Sequence, residues 1–86
     1  MMTIWIVKWK GRGLYARSSD RCGCPGDWCC MREHAHEHLT LDSARCARDA
    51  LVLDVLLRVG TGVSVDVRDI LRAGLMLEFK VFRAEI

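Results

Sequence analysis

The chain has 86 residues, of which 51% are hydrophobic and 28% are charged, and its formal net charge is +2. This composition predicts one folded domain over residues 1–86, excludes a wholly disordered chain or an acidic DNA mimic, and leaves the class of partner open. No secretory signal or membrane span is recognisable, so we expect a cytoplasmic protein with reduced thiols, and the excess of arginine over lysine indicates a bacterial host cell.

The N-terminal segment predicts a β-hairpin. Residues Ile4 to Lys10 alternate between two faces and are rich in aromatic and β-branched side chains, as strands are. A Gly-x-Gly turn follows at Gly11–Gly13, and Leu14 to Arg17 returns as the second strand. We expect Trp5 and Trp9 to belong to the core, because strand aromatics at a period of two residues usually pack inward.

A cysteine-rich loop follows at residues 18–30, with a turn predicted at Cys24-Pro25-Gly26-Asp27. Residues Met31 to Leu39 are ambiguous: as a strand they place His34, His36 and His38 on one face, whereas a helix would stack only His34 and His38. We favour an extended segment, which makes residues 31–39 a candidate third strand.

A long helix is predicted from Ser43 to Val59. It begins near Asp42, with Thr40 as an alternative cap, and Gly60-Thr61-Gly62 would end it. The part from Leu51 to Leu57 is apolar almost all round, which indicates burial on more than one side. Either a second element or a partner chain must cover it, and a homodimer through 51–57 is one arrangement that would do so.

The C-terminal residues predict a short helix and a strand. Ser64 is placed to cap a helix from Val65 to Ala73, and Gly74 would end it. Leu75 to Phe82 alternates as a strand does. The predicted fold class is therefore α+β, with a small antiparallel sheet made of the hairpin, the C-terminal strand and the candidate third strand, packed on one long and one short helix.

A cluster of cysteine and histidine residues is the conspicuous chemical feature. A structural zinc site would need four ligands, and the candidate set is Cys22, Cys24, Cys29 and His34. The spacing fits no standard template, and the side chains of the adjacent pair Cys29 and Cys30 should diverge, so at most one of them is a ligand. The favoured interpretation has no cofactor: the cysteines stay reduced and pack as small apolar groups beside Trp28, and zinc is the alternative.

Catalysis is not expected. A cysteine nucleophile assisted by His34 and Asp27 can be drawn on paper, but no motif fixes such roles, and the Cys-x-x-Cys of redox enzymes is absent. We predict a binding protein that is not an enzyme. Basic side chains gather in the first third of the chain and form the candidate partner-binding set: Lys10, Arg12, Arg17, Arg21 and Arg32.

Several short runs along residues 5 to 50 resemble those of small phage-encoded and mobile-element proteins. These runs are Trp5-Ile6-Val7, Gly13-Leu14-Tyr15, Trp28, Ala35, Leu39, Asp42-Ser43-Ala44 and Ala47. Anti-CRISPR proteins are a prominent class of this size. The resemblance implies a compact domain that binds a CRISPR effector and blocks it.

Two functions follow as expectations. The first is a stoichiometric protein-binding inhibitor whose partner is a host protein or a protein–RNA effector complex. The alternative is a zinc-stabilised adaptor that binds nucleic acid or protein through the Cys/His segment.

Overall fold

The computed structural model of the chain describes residues 2–59, 62 and 64–85. The elements are β1 (Thr3–Trp9), β2 (Leu14–Ala16), β3 (Trp28–Cys29), a 3₁₀ turn (Arg32–His34), α1 (Leu41–Val59), α2 (Val65–Glu78) and β4 (Phe79–Glu85). Within these residues the strands form one antiparallel sheet in the spatial order β3-β2-β1-β4. The predicted α+β class is confirmed, with a sheet and two helices.

Strand β1 is the centre of the sheet. It pairs with β4 along its whole length, from Thr3 opposite Glu85 to Trp9 opposite Phe79. On its other edge only Lys8 and Trp9 pair with β2, through the predicted turn, in which Gly13 adopts a positive φ of 63°. The hairpin prediction is confirmed, and its short second strand leaves most of that edge of β1 for another segment.

The prediction of a third strand at residues 31–39 is wrong. The third strand is β3, at Trp28–Cys29, and residues 31–39 form the 3₁₀ turn and then an extended stretch with two isolated bridges. In one bridge the backbones of Trp5 and His38 exchange two hydrogen bonds of 2.8 Å. Because β2 stops at Ala16, the extended stretch satisfies backbone groups of β1 that would otherwise lack a partner.

Among the residues that the structure describes, the buried hydrophobic side chains form two clusters. One joins Val52 and Leu56 of α1 to Phe79, with Trp9 and Trp28 packed against it. The other consists of Ile4, Ile6 and Ala35, with Tyr15 and Ala84 beside it. Trp5 and Trp9, which the sequence predicts as core, are only half-buried, and the fully buried side chains of β1 are its aliphatic ones, Ile4, Ile6 and Val7.

Helix α1 starts at Leu41 because Thr40 caps it: the amide of Ser43 donates to Thr40 Oγ1 at 3.1 Å. The alternative cap is thus the one used. The helix contacts both the sheet and α2, yet Leu53 and Leu57 remain 56% and 66% exposed. The predicted end at Gly60-Thr61-Gly62 involves residues outside the described ones.

Helix α2 is longer than predicted. Ser64 caps it as expected, accepting a hydrogen bond from the Val67 amide at 3.3 Å. The helix continues through Gly74 to Glu78, so β4 begins at Phe79 and not at Leu75. Leucine, methionine and glutamate are good helix formers, and together they outweigh the cost of one glycine. Among the described residues, no helix is long and apolar enough to cross a lipid bilayer.

Candidate metal centre

The cysteine-rich loop is held against the end of β2 by Arg17. Its Nε donates to the carbonyl of Gly26, and its Nη1 donates to the carbonyl of Cys22 at 3.1 Å. The Arg17 amide also donates to the carbonyl of Asp27 at 3.0 Å. Gly26 has a φ of 81°, as the third residue of the predicted Pro-Gly turn requires. The loop is therefore an ordered structure that returns the chain toward β3.

This fold brings three of the candidate ligands together. The ligand atoms of Cys22, Cys29 and His34 all lie within 4.8 Å of one another. Cys29 Sγ and His34 Nδ1 are 3.5 Å apart. Both sulfurs are buried and the imidazole is half-buried, so the three groups form a pocket of soft and borderline donors suited to zinc.

Cys24 supplies the fourth candidate. Its Sγ lies 4.0 Å from Cys29 Sγ, while its side chain is exposed at the rim of the cluster. In a tetrahedral zinc centre, two sulfur ligands are about 3.8 Å apart, and a sulfur and a nitrogen are about 3.5–3.6 Å apart, given Zn–S and Zn–N bonds of about 2.3 and 2.0–2.1 Å. The two distances that Cys29 makes, to Cys24 and to His34, match these edges within a few tenths of an ångström.

Backbone amides point at both buried sulfurs. The amide of Cys24 donates to Cys22 Sγ at 3.4 Å, and the amide of Met31 donates to Cys29 Sγ at 3.4 Å. Each donor lies two residues after its cysteine, so the short Cys-x-Cys spacing and the adjacent pair still allow an amide to face the sulfur. At Cys22 this donor favours the thiolate, which is the form that binds metal.

The thiols differ in acidity. The hydrogen bond from the Cys24 amide is the main cause that lowers the pKa of Cys22 to about 7, and burial opposes it. The pKa of Cys24 is raised to about 11 by its side-chain contacts with Cys22 and Cys29, since nearby sulfur charge disfavours a further thiolate. One buried thiol is thus readily ionised, and its neighbour at the rim is protonated without a cation.

The remaining cysteines and histidines lie elsewhere. Cys30 and Cys46 are exposed. The rings of His36 and His38 are 4.4 Å apart, and His38 Nδ1 is 2.9 Å from Ser43 Oγ at the start of α1. Burial, and to a smaller extent the charge of His36, lowers the pKa of His38. His36 and His38 thus share a face as an extended segment predicts, and only His34 turns to the cysteines.

The basic residues predicted to bind a partner differ in their exposure and in their side-chain contacts. Lys10 is exposed, and the Arg12 guanidinium lies 4.6 Å from the centre of the Trp9 ring. Arg21 pairs with Glu37, and Arg32 is half-buried in the 3₁₀ turn. Arg17 is engaged by the loop carbonyls, and this supporting role could not be read from the sequence.

Comparisons with protein-family models, with curated proteins and with solved structures find no match to this chain. The geometry of the site therefore carries the functional argument.

Proposed function

We propose that this chain is a zinc-stabilised adaptor in which Cys22, Cys24, Cys29 and His34 hold one zinc ion. The observation that carries the proposal is the convergence of two buried thiols and an imidazole nitrogen within 4.8 Å, with a further thiol, that of Cys24, 4.0 Å from Cys29 Sγ. Three sulfurs and one nitrogen suit zinc and disfavour magnesium or calcium, which prefer oxygen ligands.

The role of this zinc is structural. Four protein ligands complete a tetrahedral shell and leave no open position for a substrate or a reactive water. The ion joins the loop before β3 to the 3₁₀ turn after it, a region with few regular backbone hydrogen bonds. Because such a site is not preformed in the unfolded chain, the free energy of zinc binding adds to the free energy of folding.

We propose that a chain stabilised in this way acts by binding a partner. Arg21 directly precedes Cys22, and Arg32 lies in the same short turn as His34. Zinc would therefore fix the backbone at the exposed Arg21, whose guanidinium pairs with Glu37, and at the half-buried Arg32, which follows the exposed Met31 in sequence. We propose that the surface around these residues binds an acidic partner, in a bacterial cytoplasm where thiols stay reduced.

Cobalt titration tests the proposal. Co²⁺ bound by three thiolates in a tetrahedral site gives strong sulfur-to-metal charge-transfer and visible d–d absorption. We expect these bands for the reduced wild-type chain, with saturation at one equivalent and displacement by zinc. Cys22→Ser should remove them, and the matched control Cys46→Ser should retain them. A reduced, folded wild-type chain that gives no such spectrum and binds no zinc contradicts the proposal.

A second candidate function is inhibition of a CRISPR effector by stoichiometric binding. It is supported by the resemblance to phage-encoded proteins, and a protein-binding role is favoured by the large apolar side chains exposed on the helices. Its test is titration of the purified chain into a target-cleavage assay with a reconstituted effector. Complete inhibition at equimolar inhibitor supports this role, and unchanged cleavage at large excess, across effector types, removes it.

A further inference from the structure

Helix α2 is poorly covered by the remainder of the described structure. Over its whole described length, Val65–Glu78, it has no buried residue. Several of its aliphatic side chains face solvent: Ile70 is 72% exposed, Leu77 is 69% exposed and Val67 is 47% exposed. A helix of this length is marginal by propensity alone, and an internal glycine weakens it further, so tertiary or quaternary packing is needed to hold it.

The exposed aliphatic residues follow a coiled-coil pattern. Val67, Ile70, Gly74 and Leu77 are separated by three, four and three residues, which is the a/d spacing of a heptad. Leu71, 38% exposed, flanks this seam. The residues of α2 that pack on the remainder of the molecule, Leu75 and Met76, lie outside the seam. The helix therefore presents a second, unpartnered apolar face.

The exposed area is large enough for an interface. The chain exposes 5781 Å² at a mass of 9.8 kDa. A folded monomer of this mass is expected to expose about 5,200 Å², so the excess is about 600 Å². Each partner of a specific interface buries about 800 Å². The excess refers to the whole chain, including the aliphatic side chains of α2, and is about three quarters of what each partner of one such interface buries.

We propose that the seam of α2 binds the α2 seam of a second copy of this chain, in antiparallel orientation. In an antiparallel pair, a positions pack against d positions, which sets Ile70 against Gly74 of the second copy and Val67 against its Leu77. The large side chain then meets the gap left by the small one. A two-fold pair repeats this fit on both sides of the axis, since the same patch serves both copies.

Charge is also compatible with self-association. Helix α1 carries three acidic and three basic side chains, and α2 carries three acidic and two basic ones. Two near-neutral helical surfaces approach without the repulsion that two basic surfaces would have, and the excess positive charge of the chain lies outside the helices. This dimer is independent of the zinc centre, since none of the proposed ligands belongs to α2.

Sedimentation equilibrium of the full chain, loaded with zinc, tests the dimer. We expect the wild type to be a dimer in the micromolar range, and Ile70→Asp to raise the dissociation constant by about a hundredfold or more. The control is Val65→Asp, an equally exposed β-branched residue of α2 that lies off the seam, and it should leave the dimer intact. Circular dichroism should show all three chains folded. A monomeric wild type, or a dimer insensitive to Ile70→Asp, overturns the proposal.

A mixture of two variants tests the antiparallel pairing. Ile70→Asp and Gly74→Lys should each weaken the homodimer, and neither should disturb the monomer, because nothing lies within 4 Å of a Cβ added at Gly74. Mixed in equal amounts, they should form a heterodimer in which one Asp faces one Lys, visible by native mass spectrometry. Failure to form this mixed dimer overturns the antiparallel arrangement.

Discussion

Cys29 contacts several of the groups that form the candidate centre. Its sulfur lies near Cys24 Sγ and His34 Nδ1 and accepts the amide of Met31, whereas the adjacent Cys30 is exposed. Successive side chains of an extended segment point to opposite sides, so only one of the pair can face the cluster.

Substitutions of Cys29 and of its neighbour Cys30 should have very different effects on zinc affinity. Cys29→Ser replaces a soft thiolate by a hydroxyl, and we expect zinc affinity to fall by more than about a hundredfold, measured by competition with a chromophoric chelator. Cys30→Ser is the matched control and should bind zinc as the wild type does. Equal affinity in both variants, or equal loss, would place the ligand elsewhere.

A second residue-scale prediction concerns pH. Burial lowers the pKa of His38 below its ordinary value of 6.5 in the folded chain. Below about pH 6.5 the unfolded chain therefore binds more protons at this histidine than the folded chain does. As a result the free energy of unfolding decreases toward acid pH, and the contribution of His38 is complete above about pH 6.5. The positive charge of the adjacent His36 is a smaller cause that also lowers the pKa of His38.

Thermal melts at pH 7.5 and 5.5 measure this effect. The melting temperature should be lower at pH 5.5, and His38→Gln should reduce the difference between the two values. Because zinc ligands also take up protons in acid, the comparison is made between the wild type and His38→Gln under the same metal loading. Identical pH dependence in the two chains would remove His38 as the cause.

At the scale of elements, the local features are the ones that could be predicted. The turn at Gly13, the Pro-Gly turn at Gly26 and the cap Ser64 depend on a few neighbouring residues, and the structure has all three. At α1 the structure uses the alternative cap, Thr40, and not the predicted start near Asp42. The predicted start of β4, Leu75, was four residues too early, because the alternation in Leu75–Glu78 resembles that of a strand. Packing of Leu75 and Met76 against the core keeps these residues helical.

The third strand could not be placed for a different reason. Trp28–Cys29 is too short to carry a periodic signal, and β3 exists because it pairs with β2 and because Trp28 packs on Trp9 and Phe79, with ring centres 5.3 and 4.9 Å apart. Contacts between residues far apart in sequence leave no local pattern. The four candidate ligands were recognisable by type, but the amides that face their sulfurs were not.

Two of the leucines of α1, Leu53 and Leu56, give an element-scale prediction. Residues 51–57 are apolar on almost all sides of the helix, and this pattern predicts that Leu53 and Leu56 are equally buried. In the structure Leu56 is 6% exposed and Leu53 is 56% exposed. Leu56→Asp places a charge in the cluster with Phe79 and Val52, and should cost about 3 kcal/mol or more of unfolding free energy. Leu53→Asp should cost less than about 1 kcal/mol.

Urea unfolding monitored by circular dichroism measures both changes. The two substitutions are matched in chemistry and lie on the same helix, so only burial differs between them. An equal loss of stability would mean that a partner chain covers Leu53 as closely as the core covers Leu56.

For the whole molecule, two features hold together the region between β2 and α1. Trp28 anchors it to the aromatic cluster, and the Cys/His centre closes it on the loop side. The sequence favoured packing alone, because the cysteine spacing is irregular. The distances of 3.5 and 4.0 Å around Cys29 are close to the edges of a zinc tetrahedron, and on this ground we propose a metal as the second tether.

The most direct test is the zinc content of the purified chain together with its response to a chelator. Elemental analysis of protein prepared under reducing conditions should give about one zinc per chain. Removal of the metal should lower the melting temperature markedly, and zinc, but not magnesium, should restore it. A reduced chain that holds no zinc, takes none up and melts at the same temperature with and without chelator would contradict the account, and would leave Trp28 packing as the sole tether of this region.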